Sequence, residues 1–362
     1  MDEAVAVVPR MPWWAWAFPA AAWALLIASL VLGSSGVMVA LLAVTLIATV
    51  FASVYHAEII AHKVGEPMGT LVLAVAVTVI EVALVVSIML NGGIKEAVVA
   101  RDTVFSAVML VCNGIVGVCL LVGGMRHFTQ GFQIQAASAA LAVLAAMTVL
   151  TLVLPNFTTS EPGPVFSQSQ LIFVGLISLV LYGVFVFVQT VRHRDDFLAV
   201  GNDAPEGHTP TGRATAFSAG LLLAALVAVV GLAKALAPVM DDAIANAGAP
   251  KAVGGVLIAA LVLLPEALSA LAAARADRLQ TSLNLALGST LASIGLTIPV
   301  VAIVSIVFHL PLTLGIGAKE QVLLALTLLV SVITLGTGRT TVLQGIVHLV
   351  ILAAFLFLAV VP

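Results

Sequence analysis

The chain has 362 residues, of which 62% are apolar and 9% are charged, and its mean hydropathy is +1.23. Soluble domains are about 45–50% apolar and about 25% charged, so the lipid bilayer must be the solvent for most of this chain. This composition, a net charge of −3 and only two cysteines exclude a soluble enzyme, a nucleic-acid-binding protein and a disulfide scaffold.

The chain contains eleven apolar segments that approach or exceed the length of a membrane-spanning helix, which needs about 20 residues. Their length favours helices over the short alternating strands of a barrel. The sequence therefore predicts an all-α polytopic membrane protein. The predicted spans are 14–32, 36–55, 68–90, 103–122, 136–154, 170–190, 215–237, 252–274, 283–307, 320–336 and 341–361.

Lys and Arg residues are unevenly distributed between the two sides of these spans, with nine on the amino-terminal side and five on the other. Because cytoplasmic loops carry the excess of Lys and Arg, we expect the amino terminus in the cytoplasm and the carboxyl terminus outside. The chain is thus expected to be an integral membrane protein with this orientation. The polar stretch in the middle of the chain is then a cytoplasmic linker.

An internal repeat relates the two halves of the chain. Residues 58–86 align with residues 243–271 without a gap, and Glu81 then falls on Glu266. These glutamates lie on the third and eighth spans, so the repeat unit is five helices and the two copies have inverted topology. The predicted organisation is an amino-terminal segment with one leading helix (1–35), a first five-helix repeat (36–190), the linker (191–214) and a second five-helix repeat (215–362).

Glu81 and Glu266 are the acids that fall deep inside predicted spans. A carboxylate at the bilayer centre costs roughly 2.5–3.5 kcal/mol on insertion scales, so its presence at two equivalent points indicates function. Residues three apart share a helix face, which places Thr78 beside Glu81 and Ser269 beside Glu266. Each acid thereby gains a neutral oxygen for a hard cation.

The helices that follow the two glutamates supply further oxygen ligands. Ser106 and Asn113 share a face of the fourth span, and Ser289 and Ser293 begin a polar stripe on the ninth. Carboxylate, hydroxyl and amide oxygens suit Ca²⁺, whereas no His or Cys lies near the glutamates to favour Zn²⁺. No resident cofactor is expected, and His348 is expected to be a packing or interface residue.

Acidic residues also precede both glutamate-bearing spans. Glu58, His62 and Glu66 lie at four-residue spacing before the third span, and Asp241 and Asp242 lie before the eighth. They form either a solvated rim or an access route for cations and protons.

The repeated sequence reads TLVLAVAVTVIEVALVVSIML in the first half and VLIAALVLLPEALSALAAARADRLQTSLNLALGSTLASIGLTIP in the second. These segments resemble the two α-repeats of the Ca²⁺:cation antiporter superfamily, and bacterial calcium/proton antiporters most of all. The resemblance covers nearly the whole chain, and it implies a location in the inner (plasma) membrane of a bacterium. It implies that Glu81 and Glu266 bind the cation, with Asn113 and Ser289 in the ligand shell. Many members carry Gly-Asn-Ala before the first acid, where this chain has Thr-Val-Ile.

The expected activity is export of cytoplasmic Ca²⁺ in exchange for protons by alternating access. Two ionised carboxylates in a site of low dielectric constant repel each other, and either a divalent cation or protons relieve that repulsion. The alternatives are a Na⁺ or K⁺/proton antiporter of the same fold and a passive cation channel. An enzyme is not expected.

Overall fold

The computed structural model describes residues 11–32, 35–65, 68–92, 97–198, 210–250 and 252–361. Helices dominate this part of the chain because the apolar runs cannot leave backbone N–H and C=O groups unpaired in lipid. The α-helices are α1 (Trp13–Leu32), α2 (Gly36–Val64), α3 (Met68–Gly92), α4 (Val99–Met109), α5 (Val116–His127), α6 (Ile134–Thr148), α7 (Gln168–Phe187), α8 (Arg194–Phe197), α9 (Gly212–Asn246), α10 (Ala252–Arg275), α11 (Leu279–Phe308), α12 (Ala318–Leu335) and α13 (Val342–Val360).

Several of these helices continue in tighter or wider turns. A π-helical segment, Leu110–Ile115, joins α4 to α5, so that one continuous helix runs over Val99–His127. The other such turns are Val149–Val153, Leu154–Asn156 and Val188–Arg192. Two short strands, β1 (Gln130–Gly131) and β2 (Arg339–Thr340), pair antiparallel.

The membrane spans agree with the sequence-based prediction. Within the described residues, ten helical segments are long and apolar enough to cross a bilayer. The third predicted span corresponds to α3, whose apolar stretch is Ala74–Leu90. The prediction of an all-α polytopic membrane protein is therefore confirmed.

Two helices extend well beyond the predicted spans. The span predicted at 36–55 is the first part of α2, which continues to Val64, and the span predicted at 215–237 is part of α9, which reaches Asn246. An apolar window ends where polar side chains begin, whereas backbone hydrogen bonding continues along the helix. Glu58, His62 and Asp242 consequently lie on the last turns of helices rather than in loops.

The described chain divides into two compact units. One consists of Met1–Ala76 with Gly201–Leu236, and the other of Val77–Val200 with Ala237–Pro362. Each unit takes segments from both predicted repeats, and the division into two five-helix repeats stays a prediction.

In the first unit, α1 packs along α2. The ring Nε2 of His56 lies 3.0 Å from the carbonyl oxygen of Ala15, which gives a buried polar contact between these two helices. The indole of Trp23 donates to the carbonyl oxygen of Ala224 on α9 at 3.1 Å. The leading helix is thus fixed by polar contacts as well as by apolar packing.

In the second unit, α11 packs against α4, α6, α7 and α10. Its buried residues extend from Leu279 to Ser305, so nearly its whole length lies inside the protein. At Gly295 an added Cβ atom would lie 2.5 Å from the Cβ of Tyr182, which shows how closely α7 approaches. The polar side chains of α11 therefore face protein rather than lipid.

Candidate functional site

Both predicted glutamates are buried inside membrane helices of the second unit. The side chain of Glu81 on α3 is 2% exposed and that of Glu266 on α10 is 1% exposed. Neither lies at a helix end, where a long side chain reaches the headgroups. Any charge they carry must therefore be balanced inside the protein.

Two serines of α11 bring the carboxyl groups together. The hydroxyl of Ser289 donates to Oε2 of Glu266 at 2.6 Å, and the hydroxyl of Ser293 donates to Oε2 of Glu81. Positions four apart lie one turn apart on one helix face, with Cβ atoms about 5–6 Å from each other. A single face of α11 thus holds a carboxyl group from each half of the chain.

Three buried oxygen atoms of this site have no hydrogen-bond partner in the described structure. The Oε1 atoms of Glu81 and Glu266, and Oγ1 of Thr297 one turn beyond Ser293, are buried without a hydrogen-bond partner in the described structure. Leaving a buried polar atom unpaired costs roughly 1–3 kcal/mol, and more for a charged group. Such atoms accumulate where a ligand completes the site, and oxygen atoms suit a hard cation or a proton.

No basic side chain compensates the two carboxylates in the described part of the chain. The ion pairs found there join Arg101 to Asp102, His193 to Asp196 and Lys319 to Glu320, away from both glutamates. The described residues also contain no group of three or more His, Cys, Asp and Glu side chains arranged for a metal. The chemistry available at the site is that of two carboxyl groups with hydroxyl oxygens.

The other predicted ligands differ in their surroundings. Thr78 is buried one turn before Glu81. Ser106 is buried and lines a cavity of about 200 Å³ that also contains Arg101, while Ser269 is only half-buried on α10. These three residues stay predictions as cation ligands.

Asn113 has different partners from those expected. Its amide nitrogen donates to Oγ1 of Thr327 at 2.9 Å, and its Oδ1 lies 3.2 Å from Nδ1 of His348. The resemblance predicts a cation ligand at this position, and that role stays a prediction. Thr327 and His348 were not predicted as site residues, although a histidine within an apolar span is an available signal.

The predicted access residues remain untested. Glu58 and His62 lie near the carboxyl end of α2 in the first unit, and Asp242 lines a cavity of about 460 Å³ in the second. Glu66 lies outside the described residues, and the structure describes the backbone but not the side chain of Asp241.

The comparison with known proteins identifies the family. Residues 34–191 and 217–361 match the family described as "Sodium/calcium exchanger protein". The chain belongs to this family. The match covers both predicted repeats and omits most of the linker between them.

Two relatives of this exchanger are at least 35% identical to it over most of its length. It is 50% identical to y4hA of Sinorhizobium fredii, whose name proposes an ionic transporter, over 98% of this chain and 97% of the relative. It is 35% identical to the sodium-potassium/proton antiporter ChaA of Escherichia coli, over 90% of each chain. Both names describe transporters rather than enzymes.

A solved structure shares the exchanger's fold. The crystal structure of YfkE, described as a Ca²⁺/H⁺ antiporter, superposes with a TM-score of 0.71 and covers 96% of this chain and 99% of its own. The sequence identity is 20%, so this likeness concerns the fold alone. The protein is thus an integral membrane cation exchanger with the fold of solved exchangers.

Proposed function

We propose that this exchanger moves Ca²⁺ against protons by alternating access, with Glu81 and Glu266 as the site that both ions share. The observation that carries the proposal is the pair of buried carboxyl groups that accept from serines one turn apart on α11, each with one oxygen that has no hydrogen-bond partner in the described structure. A site that held its negative charge permanently would need a buried cationic partner, and the described residues provide none at the glutamates.

Charge balance explains why the two ions exclude each other. Two ionised carboxylates that accept from serines one helix turn apart repel strongly at the low dielectric constant of a membrane protein. One divalent cation neutralises both charges, and two protons do the same. Since the same oxygen atoms cannot hold both, binding of one ion requires release of the other, and the two fluxes are coupled without a separate proton pathway.

The oxygen atoms at the site suit a calcium ion in number and type. Ca²⁺ takes six to eight oxygen ligands, commonly carboxylate, carbonyl and water oxygens. The two glutamates contribute four carboxyl oxygens, and Ser289, Ser293 and Thr297 contribute hydroxyl oxygens along one face of α11.

The direction of transport is part of the same proposal. The excess of Lys and Arg on the amino-terminal side of the spans supports a cytoplasmic amino terminus in a bacterial plasma membrane. Inward proton flow would then drive Ca²⁺ from the cytoplasm to the outside.

A second candidate is exchange of Na⁺ or K⁺ for protons at the same site. The observation that favours it is the 35% identity with a sodium-potassium/proton antiporter over 90% of each chain. Oxygen ligands also bind monovalent cations, so the ligand types alone do not separate the two candidates.

The test is proton flux in liposomes that contain the purified protein and a pH-sensitive dye. With an imposed pH gradient, Ca²⁺ should evoke proton movement in the wild type and not in the Glu81→Gln or Glu266→Gln variants. Glu161→Gln is the matched control, because Glu161 is an exposed acid in the loop before α7. It should exchange like the wild type.

The same assay separates the alternatives. Proton movement evoked by Na⁺ or K⁺ and not by Ca²⁺ would support the second candidate, exchange of Na⁺ or K⁺ for protons. Cation flux that needs no proton movement would indicate a passive channel. Full exchange in either glutamine variant would refute the proposed site.

A further inference from the structure

A second group of buried polar side chains lies between the π-helical segment, α12 and α13. Thr327, Ser331 and Thr334 share one face of α12, and all three are buried. Asn113 from the π-helical segment and His348 from α13 complete the group, and neither is exposed at all. Five polar side chains concentrated in an apolar bundle need a reason beyond packing.

The hydrogen bonds of this group form one directed chain. Nε2 and Nδ1 of His348 lie 3.2 Å from Oγ1 of Thr334 and from Oδ1 of Asn113, respectively. The amide nitrogen of Asn113 donates to Thr327 at 2.9 Å, and the Thr327 hydroxyl donates to the sulfur of Met109 at 3.5 Å. Because Oδ1 can only accept, Nδ1 of His348 carries the proton, and Nε2 accepts from Thr334. His348 therefore fixes the direction of the Asn113 amide.

The positions of Asn113 and Ser293 along their helices indicate what Asn113 would otherwise contact. Asn113 and Ser293 occupy the same place counted from the first residues of α4 and α11. Ser293 donates to Glu81, on the helix from the other half of the chain. The π-helical segment likewise packs against α10, which carries Glu266. The Asn113 amide nevertheless bonds to α12 and α13, and Oε1 of Glu266 has no hydrogen-bond partner in the described structure.

We propose that His348 is a positioning residue that holds the Asn113 amide away from Glu266 and thereby keeps Oε1 of Glu266 available to the transported cation. This inference rests on the proposed cation site at the two glutamates. Without the Nδ1–H of His348, the hydrogen bond to Thr327 alone holds the Asn113 amide, which can then turn and donate to Oε1. The amide then competes with the cation for that oxygen, and the affinity for the cation falls.

The test compares apparent Ca²⁺ affinity and maximal rate of proton exchange in liposomes for His348 variants. His348→Leu removes the donor and should raise the apparent KM about tenfold, the equivalent of one hydrogen bond, with little change in maximal rate. His348→Gln keeps an N–H donor and a carbonyl acceptor and should restore an affinity near that of the wild type. If His348 only filled space, its replacement by leucine would lower the stability of the protein and leave KM unchanged.

A double-mutant cycle separates positioning through Asn113 from a general structural effect. In an Asn113→Ala background, His348→Leu should change KM no further, because no amide remains to compete. A tenfold change in that background, or an unchanged KM for His348→Leu alone, would overturn the inference. If His348→Leu fails to fold, Thr334→Val replaces it, since loss of the Thr334 hydroxyl loosens the ring and should raise KM in the same direction. An unchanged KM in Thr334→Val would then overturn the inference.

Ca²⁺-induced thermal stabilisation of the purified protein distinguishes failure of this inference from failure of the proposed function. A wild type that Ca²⁺ stabilises but that moves no protons refutes the exchange, whereas equal stabilisation of wild type and His348→Leu refutes the role of His348. A wild type that binds no cation refutes both.

Discussion

Replacement of Ser289 by alanine should weaken cation binding at the candidate site. The Ser289 hydroxyl donates to Oε2 of Glu266 at 2.6 Å in a fully buried setting. Hydrogen bonds to charged groups contribute about 1.5–3 kcal/mol. Since the same hydroxyl oxygen is a proposed ligand of the cation, replacement removes an interaction of this size with a charge, and the apparent affinity should fall about 10- to 150-fold, because every 1.4 kcal/mol is a factor of ten.

Thr290→Val is the matched control for this experiment. Thr290 is the next residue on α11 and equally buried, but its hydroxyl donates to the carbonyl oxygen of Ala286 one turn back on the same helix. The assay is Ca²⁺-dependent proton exchange in liposomes at fixed pH, with Ca²⁺ varied to obtain KM. If Ser289→Ala has the same KM as Thr290→Val, the assignment of Ser289 and Glu266 to the cation site is refuted.

Three further predictions follow from packing and ligand linkage. Gly295→Ala should lower the melting temperature, because the added methyl group clashes with Tyr182 at a cost of about 1–3 kcal/mol. Gly288→Ala should not, because the space around its added Cβ is open. Equal melting temperatures for the two variants would contradict the close approach of α7 to α11. Phe197→Ala should release α8, because this ring is buried beside that of Phe185. Trypsin cleavage around α8 should then accelerate, with no such change for the exposed control Phe187→Ala. Ca²⁺ at a hundredfold excess over Kd should stabilise the wild type by about 2.7 kcal/mol, and stabilisation of the two glutamate-to-glutamine variants to the same extent would contradict the site.

The fold is predictable because a chain that crosses a bilayer must pair all of its backbone N–H and C=O groups internally. Runs of about 20 apolar residues must become helices, and the eleven predicted spans all correspond to helices of the structure. The glutamates were equally visible, since Glu81 and Glu266 interrupt apolar runs at aligned positions. The stripe of Ser289 and Ser293 followed from helical periodicity, and the structure adds which serine contacts which glutamate.

Contacts between different helices are not predictable from the periodicity of residues along the chain. Asn113 meets Thr327 and His348 across more than 200 residues of chain, and residue spacing relates only side chains on one helix. The π-helical turn at Leu110–Ile115 has no hydropathy signature. For the same reason, periodicity predicts only a packing or interface role for His348, and the structure adds its contacts with Asn113 and Thr334.

The most direct test of the account is the number of protons released when Ca²⁺ binds to the purified protein. Calorimetric titration at mildly acidic pH, in two buffers that differ in ionisation enthalpy, measures this number without transport. The account predicts proton release on Ca²⁺ binding to the wild type, and a loss of that release in both Glu81→Gln and Glu266→Gln. Tight Ca²⁺ binding with no proton release in the wild type would contradict the claim that cation and protons share these two carboxyl groups.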